Sequence, residues 1–259
     1  MDLGIAGRWA VVCASSRGLG RACAEALAAE GVQVVVNGRD VEQVEKTAAE
    51  IAGAHGAPVR PVAADITTAD GRERLLAAAP DPDILVTNNA GPTPGDLLEI
   101  TDEDLDRALQ LHYWTPITLV RAVVGGMRAR RFGRIVNITS AMVTAPRPFM
   151  AASSGARTGM TAIMKGLSGQ VAADNVTINQ LLPERIDSGR QIQVAHIEAE
   201  RAGITFEQAR RRQAESIAAK RLGRPEEFGA ACAFLCSAHA GYISGVNLHL
   251  DGGSYPGLV

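Results

Sequence analysis

Short apolar segments of four to seven residues alternate with helix-like segments along the whole chain. The predicted strands cover residues 8–14, 32–37, 59–63, 84–87, 134–138, 177–182 and 246–250. The predicted helices cover residues 18–30, 41–54, 102–131 and 151–173, and one more follows Pro225. Strands this short, rich in Val and Ile and separated by helices, indicate a parallel sheet with helices on both faces. Because crossover connections are right-handed, the pattern predicts an α/β fold with a doubly wound, seven-stranded parallel sheet.

The chain length and one irregular segment define the predicted domain organisation. A chain of 259 residues suits one large α/β domain, which we expect to span residues 1–259. Residues 188–221 interrupt the alternation, because this segment is long, charged and helical in pattern. Ligands of open α/β sheets bind outside the carboxyl ends of the strands, so an insertion after the sixth strand is predicted to close over a substrate as a lid. The alternative is a solvated helical pair used in packing or oligomer contacts.

Charge and hydropathy argue against several classes of function. The chain carries 26 basic and 28 acidic residues, a net charge of −2, which does not support binding to nucleic acid or to a membrane surface. No apolar run approaches the roughly 20 residues of a membrane span. The N-terminus lacks the charged and then apolar regions of a secretion signal, so a cytoplasmic location is predicted.

The cysteines point to a packed core. They are Cys13, Cys23, Cys232 and Cys236, and none forms a Cys-x-x-Cys pair. Cys232 and Cys236 lie one helical turn apart in an apolar stretch, so buried thiols are predicted rather than a metal or redox site. No metal site is predicted elsewhere, since the sequence has no His-Glu-x-x-His pattern and no Cys/His cluster with zinc spacing.

A glycine-containing turn follows the first strand and opens the first helix. Glycines at such a turn let the backbone approach a diphosphate, and the helix N-terminus offers unpaired N–H groups and a partial positive charge. The turn therefore predicts a dinucleotide site. The residues predicted to contact the cofactor there are Ala14, Ser15, Ser16, Arg17, Gly18, Leu19 and Gly20.

The end of the second strand predicts NADP as the cofactor, with NAD as the less favoured alternative. A carboxylate at this place would bind the ribose 2′-hydroxyl and repel a 2′-phosphate, but the sequence reads Asn37, Gly38, Arg39. Arg39 and Arg17 can both face the adenosine ribose, and a guanidinium suits a phosphate. Further cofactor contacts are predicted at Asn37 and after the third, fourth and sixth strands, at Asp65, Ile66, Asn89, Ala90, Gly91 and Pro183.

These motifs resemble those of the short-chain dehydrogenase/reductase family over nearly the whole chain. The matching segments are residues 18–20, 65, 88–91 (Asn-Asn-Ala-Gly), 133–140 (Gly-Arg-Ile-Val-Asn-Ile-Thr-Ser), 183, 224–227 (Arg-Pro-Glu-Glu), 242–245 (Tyr-Ile-Ser-Gly) and 251–253 (Asp-Gly-Gly). Within the family, the sequence is most similar to the 3-oxoacyl-carrier-protein reductase-like branch. The resemblance implies a single-domain Rossmann fold, a nicotinamide cofactor, and a homotetramer or homodimer formed through the two long helices and the C-terminal strand.

The resemblance also implies a catalytic set, which this chain alters. The family uses Asn, Ser, Tyr and Lys, with Tyr thirteen residues after Ser and Lys four residues after Tyr. Ser140 matches the serine, whereas Ser153 and Arg157 stand in place of Tyr and Lys. His112 stands in place of Asn, and Ala14 adds a methyl group where glycine is usual in the cofactor turn. The predicted catalytic residues are Ser140, Ser153, Arg157 and His112.

These replacements change the proton chemistry. A serine hydroxyl is far less acidic than a phenol with a pKa of about 10, so Ser153 is a poor general acid. Arg157 cannot relay a proton, but it can hold ribose hydroxyls or bind a substrate carboxylate or phosphate in bidentate fashion. His112 would titrate near pH 6.5 if unperturbed and could supply the acid/base function. The alternative for His112 is a packed, hydrogen-bonded helix residue.

Three functions are consistent with this pattern. The first is an NADP-dependent oxidoreductase that acts on a carbonyl or alcohol of a small or acyl substrate with a modified proton path. The second is a lyase, isomerase or hydratase that uses the same cleft without net redox chemistry. The third is a non-catalytic protein that binds a dinucleotide.

Overall fold

The computed structural model describes residues 1–91 and 94–258 as strands and helices arranged around one sheet; Pro92, Thr93 and Val259 lie outside the described residues. The strands are β1 (Trp9–Val12), β2 (Gln33–Gly38), β3 (Val59–Ala63), β4 (Ile84–Thr87), β5 (Gly133–Ile138), β6 (Val176–Pro183) and β7 (Asn247–Leu250). Neighbouring strands pair in parallel, in the order β3-β2-β1-β4-β5-β6-β7. This topology confirms the predicted doubly wound, seven-stranded Rossmann fold.

Helices connect the strands and cover the sheet. In the described part of the chain they are α1 (Gly18–Ala29), α2 (Val41–His55), α3 (Ala69–Ala77), α4 (Asp102–Leu109), α5 (Thr115–Ala129), α6 (Ala151–Val171), α7 (Gly189–Ala202), α8 (Phe206–Glu215) and α9 (Pro225–Cys236). Short 3₁₀ turns cover Ala141–Val143 and Ala172–Asp174.

The core consists of two apolar layers, one on each face of the sheet. Successive side chains of a strand point to opposite faces, and β1 shows this alternation. Ala10 and Val12 pack into one layer with Leu27 of α1, while Val11 packs into the other with Leu119 of α5. Because aromatic residues make up only 4% of the chain, small aliphatic side chains fill both layers. Because β1 is buried on both faces, it is held firmly in the sheet, and the turn that follows it belongs to the candidate site.

The strand order creates a ligand crevice at one place in the sheet. The chain builds β1, β2 and β3 outward in one direction and then returns to place β4 on the other side of β1. Val12 of β1 consequently pairs with Val36 of β2 and also with Val86 of β4. Ligands of such sheets bind outside the carboxyl ends of the strands at this reversal. The turns after β1 and β4 therefore border the crevice.

Helix α3 was not predicted from the sequence. Its segment is rich in charged residues, and Leu75 is the apolar side chain that it buries completely. The helix begins at a capping residue instead, because Thr68 Oγ1 accepts a hydrogen bond from the backbone N–H of Gly71 at 3.0 Å. The signal for this helix is thus a cap and not an apolar stripe.

The predicted long helix at residues 102–131 contains a π-helical turn. Helices α4 and α5 are continuous through Gln110–Trp114, where the backbone widens to accommodate an extra residue. Thr115 Oγ1 donates to the carbonyl oxygen of Gln110 at 2.6 Å and closes the turn. His112, at the centre of the turn, is only 4% exposed. The widened turn therefore buries an imidazole beside the sheet.

The segment at residues 188–221 is helical, as its pattern predicts. It forms α7 and α8, which contact each other through His196 and Phe206, whose rings stack with centroids 4.5 Å apart. Arg210 of α8 also forms an ion pair with Asp187, which precedes α7, at 2.7 Å. The role of this segment as a lid stays a prediction.

The structure also shows the state of the cysteines and bears on membrane-spanning helices and metal-binding groups. All four cysteines are free thiols and are buried in the apolar layers, as predicted. In residues 1–91 and 94–258, no helix is long and apolar enough to cross a membrane. The same residues contain no group of three or more His, Cys, Asp or Glu side chains arranged to hold a metal ion.

Candidate active site

The turn after β1 is held in shape by Asn37 at the end of β2. The side-chain Oδ1 of Asn37 accepts from the N–H of Ala14 at 3.1 Å, and its backbone oxygen accepts from the N–H of Ser15 at 2.7 Å. Its Nδ2 donates to the carbonyl oxygens of Val62 and Ala64, both at 3.1 Å. Asn37 is 1% exposed, and its side-chain amide forms its hydrogen bonds with backbone groups of the protein. The structure thus shows Asn37 positioning the turn, and a contact of its side chain with a cofactor stays a prediction.

Two residues in this turn have left-handed backbone conformations. Gly18 has φ +59°, which glycine adopts freely, and Ala14 has φ +44°, which strains a residue with a Cβ. A Cβ on Gly20 would lie 2.4 Å from the carbonyl oxygen of Ala14, so only glycine allows α1 to pack this closely on the turn. The methyl group of Ala14 is therefore tolerated at a position that glycine would occupy without strain.

The N-terminus of α1 fits the phosphate groups of a dinucleotide. Arg17 precedes the helix in an extended conformation, makes no side-chain cap, and no acidic residue follows in the first turn. The first N–H groups of a helix that lacks a cap can bind an anion, and the helix dipole favours negative charge there. Gly18 and Gly20 permit close packing at this turn, which therefore has the geometry expected of a diphosphate cradle; its role in cofactor binding stays a prediction.

Exposed cationic side chains stand at the end of β2. Arg17 is 71% exposed, and its Nη2 lies 3.0 Å from Gln43 Oε1 and 3.6 Å from Asp40 Oδ2. Arg39 is also exposed and lies near enough to Asp65 to help lower the pKa of that carboxyl group. The larger cause of that lowering is the N–H of Thr67, which donates to Asp65 Oδ1 at 2.9 Å. Asp65 thus organises the turn after β3, and two guanidinium groups remain at the place that suits a 2′-phosphate.

The turn after β4 completes the border of the crevice. Asn88 Nδ2 donates to the carbonyl oxygen of Ala14 at 3.2 Å and ties this turn to the one after β1. Asn89 Nδ2 donates to the carbonyl oxygen of Leu111 at 3.4 Å, and Asn89 Oδ1 accepts from the N–H of Ala90 at 3.0 Å. Asn88 was not among the predicted contacts. Its place after a buried strand, directly before the three predicted residues of the turn, is the signal that indicates its positioning role.

The other predicted cofactor residues lie around the same edge of the sheet. Ser16 contributes its carbonyl oxygen, which accepts from Thr47 Oγ1 at 2.9 Å, and Leu19 packs against the apolar layer below α1. Ile66 is 4% exposed, Gly91 is exposed at the end of its turn, and Pro183 closes β6. The crevice therefore joins segments from the ends of five strands.

Arg157 is the centre of the cluster of predicted catalytic residues. Its Nη1 donates to the carbonyl oxygens of Ile138 at 2.9 Å and Thr139 at 3.0 Å, where β5 ends. Its Nε donates to Ser153 Oγ at 3.2 Å, and its Nη2 lies 3.5 Å from His112 Nε2. The structure thus joins three of the four predicted catalytic residues through one guanidinium group.

The charge of Arg157 is enclosed without an acidic partner in the part of the chain that the structure describes. Burial lowers the pKa of Arg157 to about 10, so the side chain remains a cation near neutral pH. A guanidinium has five N–H groups. Two carbonyl oxygens, Ser153 and His112 engage four of them, and one N–H of Nη2 remains. No adjacent pair of N–H groups is left for bidentate binding, so Arg157 can offer a ligand one hydrogen bond.

His112 is held as a neutral imidazole. Burial, and then the nearby charge of Arg157, lower its pKa well below the ordinary value. Since a guanidinium only donates, the contact with Arg157 assigns the lone pair to His112 Nε2 and the proton to Nδ1. His112 consequently cannot serve as a cationic acid near neutral pH: its Nε2 accepts from Arg157, and its Nδ1–H can donate one hydrogen bond.

Ser140 stands at the end of β5, next to this cluster. Its Oγ accepts from the N–H of Met142 at 3.2 Å and opens the 3₁₀ turn at Ala141–Val143. Ser140 is half-buried, and its hydroxyl hydrogen can still be donated to a ligand. The connection to Arg157 runs through the backbone of Thr139, the preceding residue.

A small cavity with a mixed polar and apolar lining lies beside the cluster. It has a volume of about 10 Å³, which suits one water molecule. Its polar lining includes Thr87, Asn88 and Asn89 from the end of β4, together with His112 and Arg157. A water molecule there would have the several polar partners that an ordered internal water requires.

Sequence comparisons find relatives that match nearly the whole chain. A family model described as Enoyl-(Acyl carrier protein) reductase matches residues 13–255. The 3-oxoacyl-[acyl-carrier-protein] reductase FabG of Haemophilus influenzae is 33% identical over 254 residues, covering 96% of this chain and 98% of that protein. Dehydrogenase/reductase SDR family member 4 of Sus scrofa is 32% identical over 251 residues, covering 95% of this chain and 86% of that protein.

Solved structures show the same similarity. L-sorbose reductase from Gluconobacter frateurii, complexed with NADPH and L-sorbose, has a TM-score of 0.94 at 29% identity and full coverage of both chains. A 3-oxoacyl (acyl-carrier-protein) reductase from Agrobacterium tumefaciens with NADP bound has a TM-score of 0.87 at 30% identity, covering 97% of this chain and 96% of that one. The matches confirm the predicted 3-oxoacyl-carrier-protein reductase-like branch. With its crevice and parallel sheet, the chain belongs to the short-chain dehydrogenase/reductase family of NAD(P)-dependent oxidoreductases.

Proposed function

We propose that the protein is an NADP-dependent oxidoreductase that interconverts a carbonyl and an alcohol on a small molecule, with a proton path that uses no tyrosine–lysine pair. The observation that carries this proposal is the hydrogen bond from Arg157 Nε to Ser153 Oγ. It keeps a buried cation on the side chain at the position of the family's proton donor. A charge-assisted hydrogen bond of this kind stabilises negative charge on the oxygen that receives it.

The preference for NADP rests on the end of β2. Arg17 and Arg39 offer positive charge there, and the residues that end β2 and follow it directly are Gly38 and Arg39 and not an acidic residue that would select a ribose 2′-hydroxyl; the carboxylate of Asp40, one residue further, lies 3.6 Å from Arg17. The similar structures of L-sorbose reductase and 3-oxoacyl reductase contain NADPH and NADP respectively. The nicotinamide, when bound, supplies or accepts the hydride.

The protein side chains would then bind the substrate and move the proton. Ser140 donates its hydroxyl hydrogen to the substrate oxygen and fixes the carbonyl. In the reductive direction, Ser153 gives its proton to that oxygen, and Arg157 Nε–H stabilises the resulting charge on Ser153 Oγ. The proton that Ser153 gives up is replaced from bulk water, so each reduction consumes one hydride from the cofactor and one proton from the solvent.

The substrate is a small carbonyl or alcohol compound whose class the relatives leave open. One similar structure contains a sugar, L-sorbose, and the similar curated proteins include acyl-carrier-protein reductases. A panel of ketoses, 3-oxoacyl thioesters and simple ketones therefore covers the chemistry to be tested. We also expect the protein to act in the cytoplasm, without nucleic acid or membrane partners.

Assembly into a homodimer or homotetramer is part of the proposal. Trp114 at the end of the π-helical turn and Ile163 on α6 are 53% and 43% exposed, so the two long helices present large apolar side chains that an interface would cover. Trp114 and Ile163 belong to the two long helical segments through which the subunits are expected to associate. Light scattering after size-exclusion chromatography measures the mass, and a monomer at micromolar concentration would contradict this part of the proposal.

The function is tested by following NADPH oxidation against the substrate panel. Turnover that requires NADPH, consumes it stoichiometrically and falls in the S140A variant supports the proposal. Turnover by protein stripped of cofactor would instead show a lyase, isomerase or hydratase. Tight NADPH binding with no turnover of any panel member would indicate the non-catalytic dinucleotide-binding protein.

A further inference from the structure

Three charged side chains meet beyond the carboxyl ends of β5 and β6. Glu184 directly follows β6, and Arg185 is the next residue in the chain. Arg147 lies in the segment that joins β5 to α6. Its Nη2 lies 3.4 Å from Glu184 Oε1, and Arg185 Nε lies 3.8 Å from the same oxygen. One carboxylate is therefore shared by two guanidinium groups, and the cluster carries an excess of positive charge.

The cluster lies at the edge of the sheet that also carries Ser140. The backbone N–H of Thr139 donates to the carbonyl oxygen of Leu181 at 2.9 Å, so the ends of β5 and β6 lie side by side. Ser140 follows Thr139 directly, and the segment after it turns back, so that the side chain of Arg147 reaches Glu184 beyond the end of β6. Ligands of such sheets bind outside this edge. The cluster therefore borders the place where a substrate held by Ser140 would lie.

The two guanidinium groups keep most of their hydrogen-bonding capacity. Their distances to Glu184 are longer than the 2.7 Å ion pair of Arg210 with Asp187. Within residues 1–91 and 94–258, neither the Arg147 nor the Arg185 side chain donates a hydrogen bond, and Arg185 Nε is buried without a partner. A buried donor that lacks an acceptor is unfavourable. An oxygen of a bound ligand would supply the acceptor that the protein does not.

The backbone restricts the positions of both arginines. Arg147 stands between Pro146 and Pro148, and proline fixes its own φ and limits the residue before it to extended conformations. Arg185 has φ +49°, a left-handed conformation that is uncommon for a residue with a Cβ, and its carbonyl oxygen accepts from the N–H of Gly223 at 3.2 Å. Strain of this kind concentrates at ligand sites. Because the backbone is already ordered, a ligand bound here loses less free energy to ordering the protein.

The chemistry of the cluster suits a carboxylate. A guanidinium group can donate two parallel N–H groups to the two oxygens of a carboxylate. The Arg147 and Arg185 side chains are 43% and 20% exposed, so a ligand can reach them at the mouth of the crevice. Arg157, the cation that the sequence indicates for such a contact, has no adjacent pair of N–H groups left. Bidentate recognition of an anion is therefore available at Arg147 and Arg185 instead.

We infer that Arg147 and Arg185 bind a carboxylate group of the substrate, so that the preferred substrates are short oxo acids and the corresponding hydroxy acids. The inference rests on the proposed function, because it names the substrate class of the same site. The carboxylate serves recognition and is unchanged by the reaction, while hydride and proton are added to the carbonyl group. Glu184 orients the two guanidinium groups without occupying their hydrogen-bonding capacity.

The experiment compares short oxo acids with their methyl esters, which keep the carbonyl group and lack the charge. Titration calorimetry on the full chain saturated with NADP measures binding without turnover, because the oxidised cofactor carries no hydride. Wild type should bind the acids at least about tenfold more tightly than the esters. R147Q and R185Q should each weaken the acids by about tenfold and leave the esters within about twofold. R147K should recover part of the affinity for the acids.

The matched control is R74Q. Arg74 lies on α3, is also exposed, and also forms a long ion pair, with Asp70 at 4.0 Å. Helix α3 connects β3 to β4, away from the cluster beyond β5 and β6. R74Q therefore removes the same charge from a different part of the surface. It should leave the constants for acids and esters within about twofold of wild type.

Initial rates with NADPH separate the inference from the proposed function. If no acid, ester or other carbonyl compound is turned over, the proposed function is contradicted, and the calorimetric preference for acids still decides the inference. Wild type that binds acids no better than esters, or that binds neither, overturns the inference. Equal constants for R147Q and R74Q overturn it as well. A loss in R147Q that is the same for acids and esters also contradicts it, because Arg147 would then support the shape of the site and not bind the charge.

Discussion

Arg157 donates through Nε to Ser153 Oγ at 3.2 Å, one helical turn earlier on α6. The same side chain fastens α6 to the end of β5 through the carbonyl oxygens of Ile138 and Thr139. One residue therefore combines a structural connection with the electrostatic environment of the candidate proton donor. Variants of either residue separate these two contributions.

Replacing Arg157 by Met should destabilise the fold. The carbonyl oxygens of Ile138 and Thr139 would lose their donor, and an unsatisfied buried acceptor costs about 1 to 3 kcal/mol. Removing a buried charge returns part of that free energy, because the desolvation penalty disappears. We expect the free energy of unfolding to fall by about 1 to 3 kcal/mol in urea titrations. R157K should fall between wild type and R157M, and an R157M variant as stable as wild type would contradict the prediction.

The two serines should contribute unequally to catalysis. Loss of a hydrogen-bond donor to the substrate oxygen typically lowers kcat by about 100- to 1000-fold, and we expect this range for S140A. S153A should lower kcat by about 10- to 100-fold with little change in KM, because it removes a proton donor. Initial rates of NADPH oxidation measure both. Full activity in S153A would exclude Ser153 from the proton path.

Stability should fall in mild acid because of His112. Its pKa in the folded protein lies well below the ordinary value near 6.5, so below that pH the unfolded chain binds more protons than the folded one. The stabilising contribution is complete above about pH 6.5 and declines as the pH falls, by at most about 1.4 kcal/mol per pH unit. Urea unfolding at pH 7.5 and pH 5.5 measures the change. The H112N variant should lose less stability over this interval than wild type does.

Replacing Ala14 by Gly should stabilise the protein. Ala14 has φ +44°, where an L-residue with a Cβ loses about 1 to 2 kcal/mol, and glycine is free of that strain. The greater flexibility of glycine in the unfolded chain offsets part of the gain. The expected increase in the free energy of unfolding is about 0.5 to 1 kcal/mol. The control is A10G within β1, where the backbone is extended and the substitution should destabilise.

The sequence predicts the sheet well because each strand is a compact apolar run whose signal is local. The π-helical turn at Gln110–Trp114 escapes such reasoning, since one extra residue leaves the apolar pattern of a long helix almost unchanged. Helix α3 escapes it for the opposite reason, because it buries little and is recognisable mainly by the cap at Thr68.

The chemistry of the site is predictable in type and not in detail. Its spacing from Ser140 identifies Arg157 as the residue in the lysine position. Its hydrogen-bond partners, the carbonyl oxygens of Ile138 and Thr139 at the end of β5, are not evident from the sequence. Likewise, Asn37 is correctly placed at the crevice, yet its amide is engaged by backbone groups near residues 14, 62 and 64. Such partners are distant in sequence, so only tertiary structure reveals which donors and acceptors remain for a ligand.

The enclosure of Arg157 has a consequence for chemical labelling. Dicarbonyl reagents modify arginines that they can reach, and Arg157 is 9% exposed, whereas Arg17 is 71% exposed. Phenylglyoxal should therefore modify Arg17 and leave Arg157 intact in the folded protein. Inactivation by this reagent that bound NADP prevents would report on the adenosine end of the cleft, because bound NADP should protect Arg17 against it.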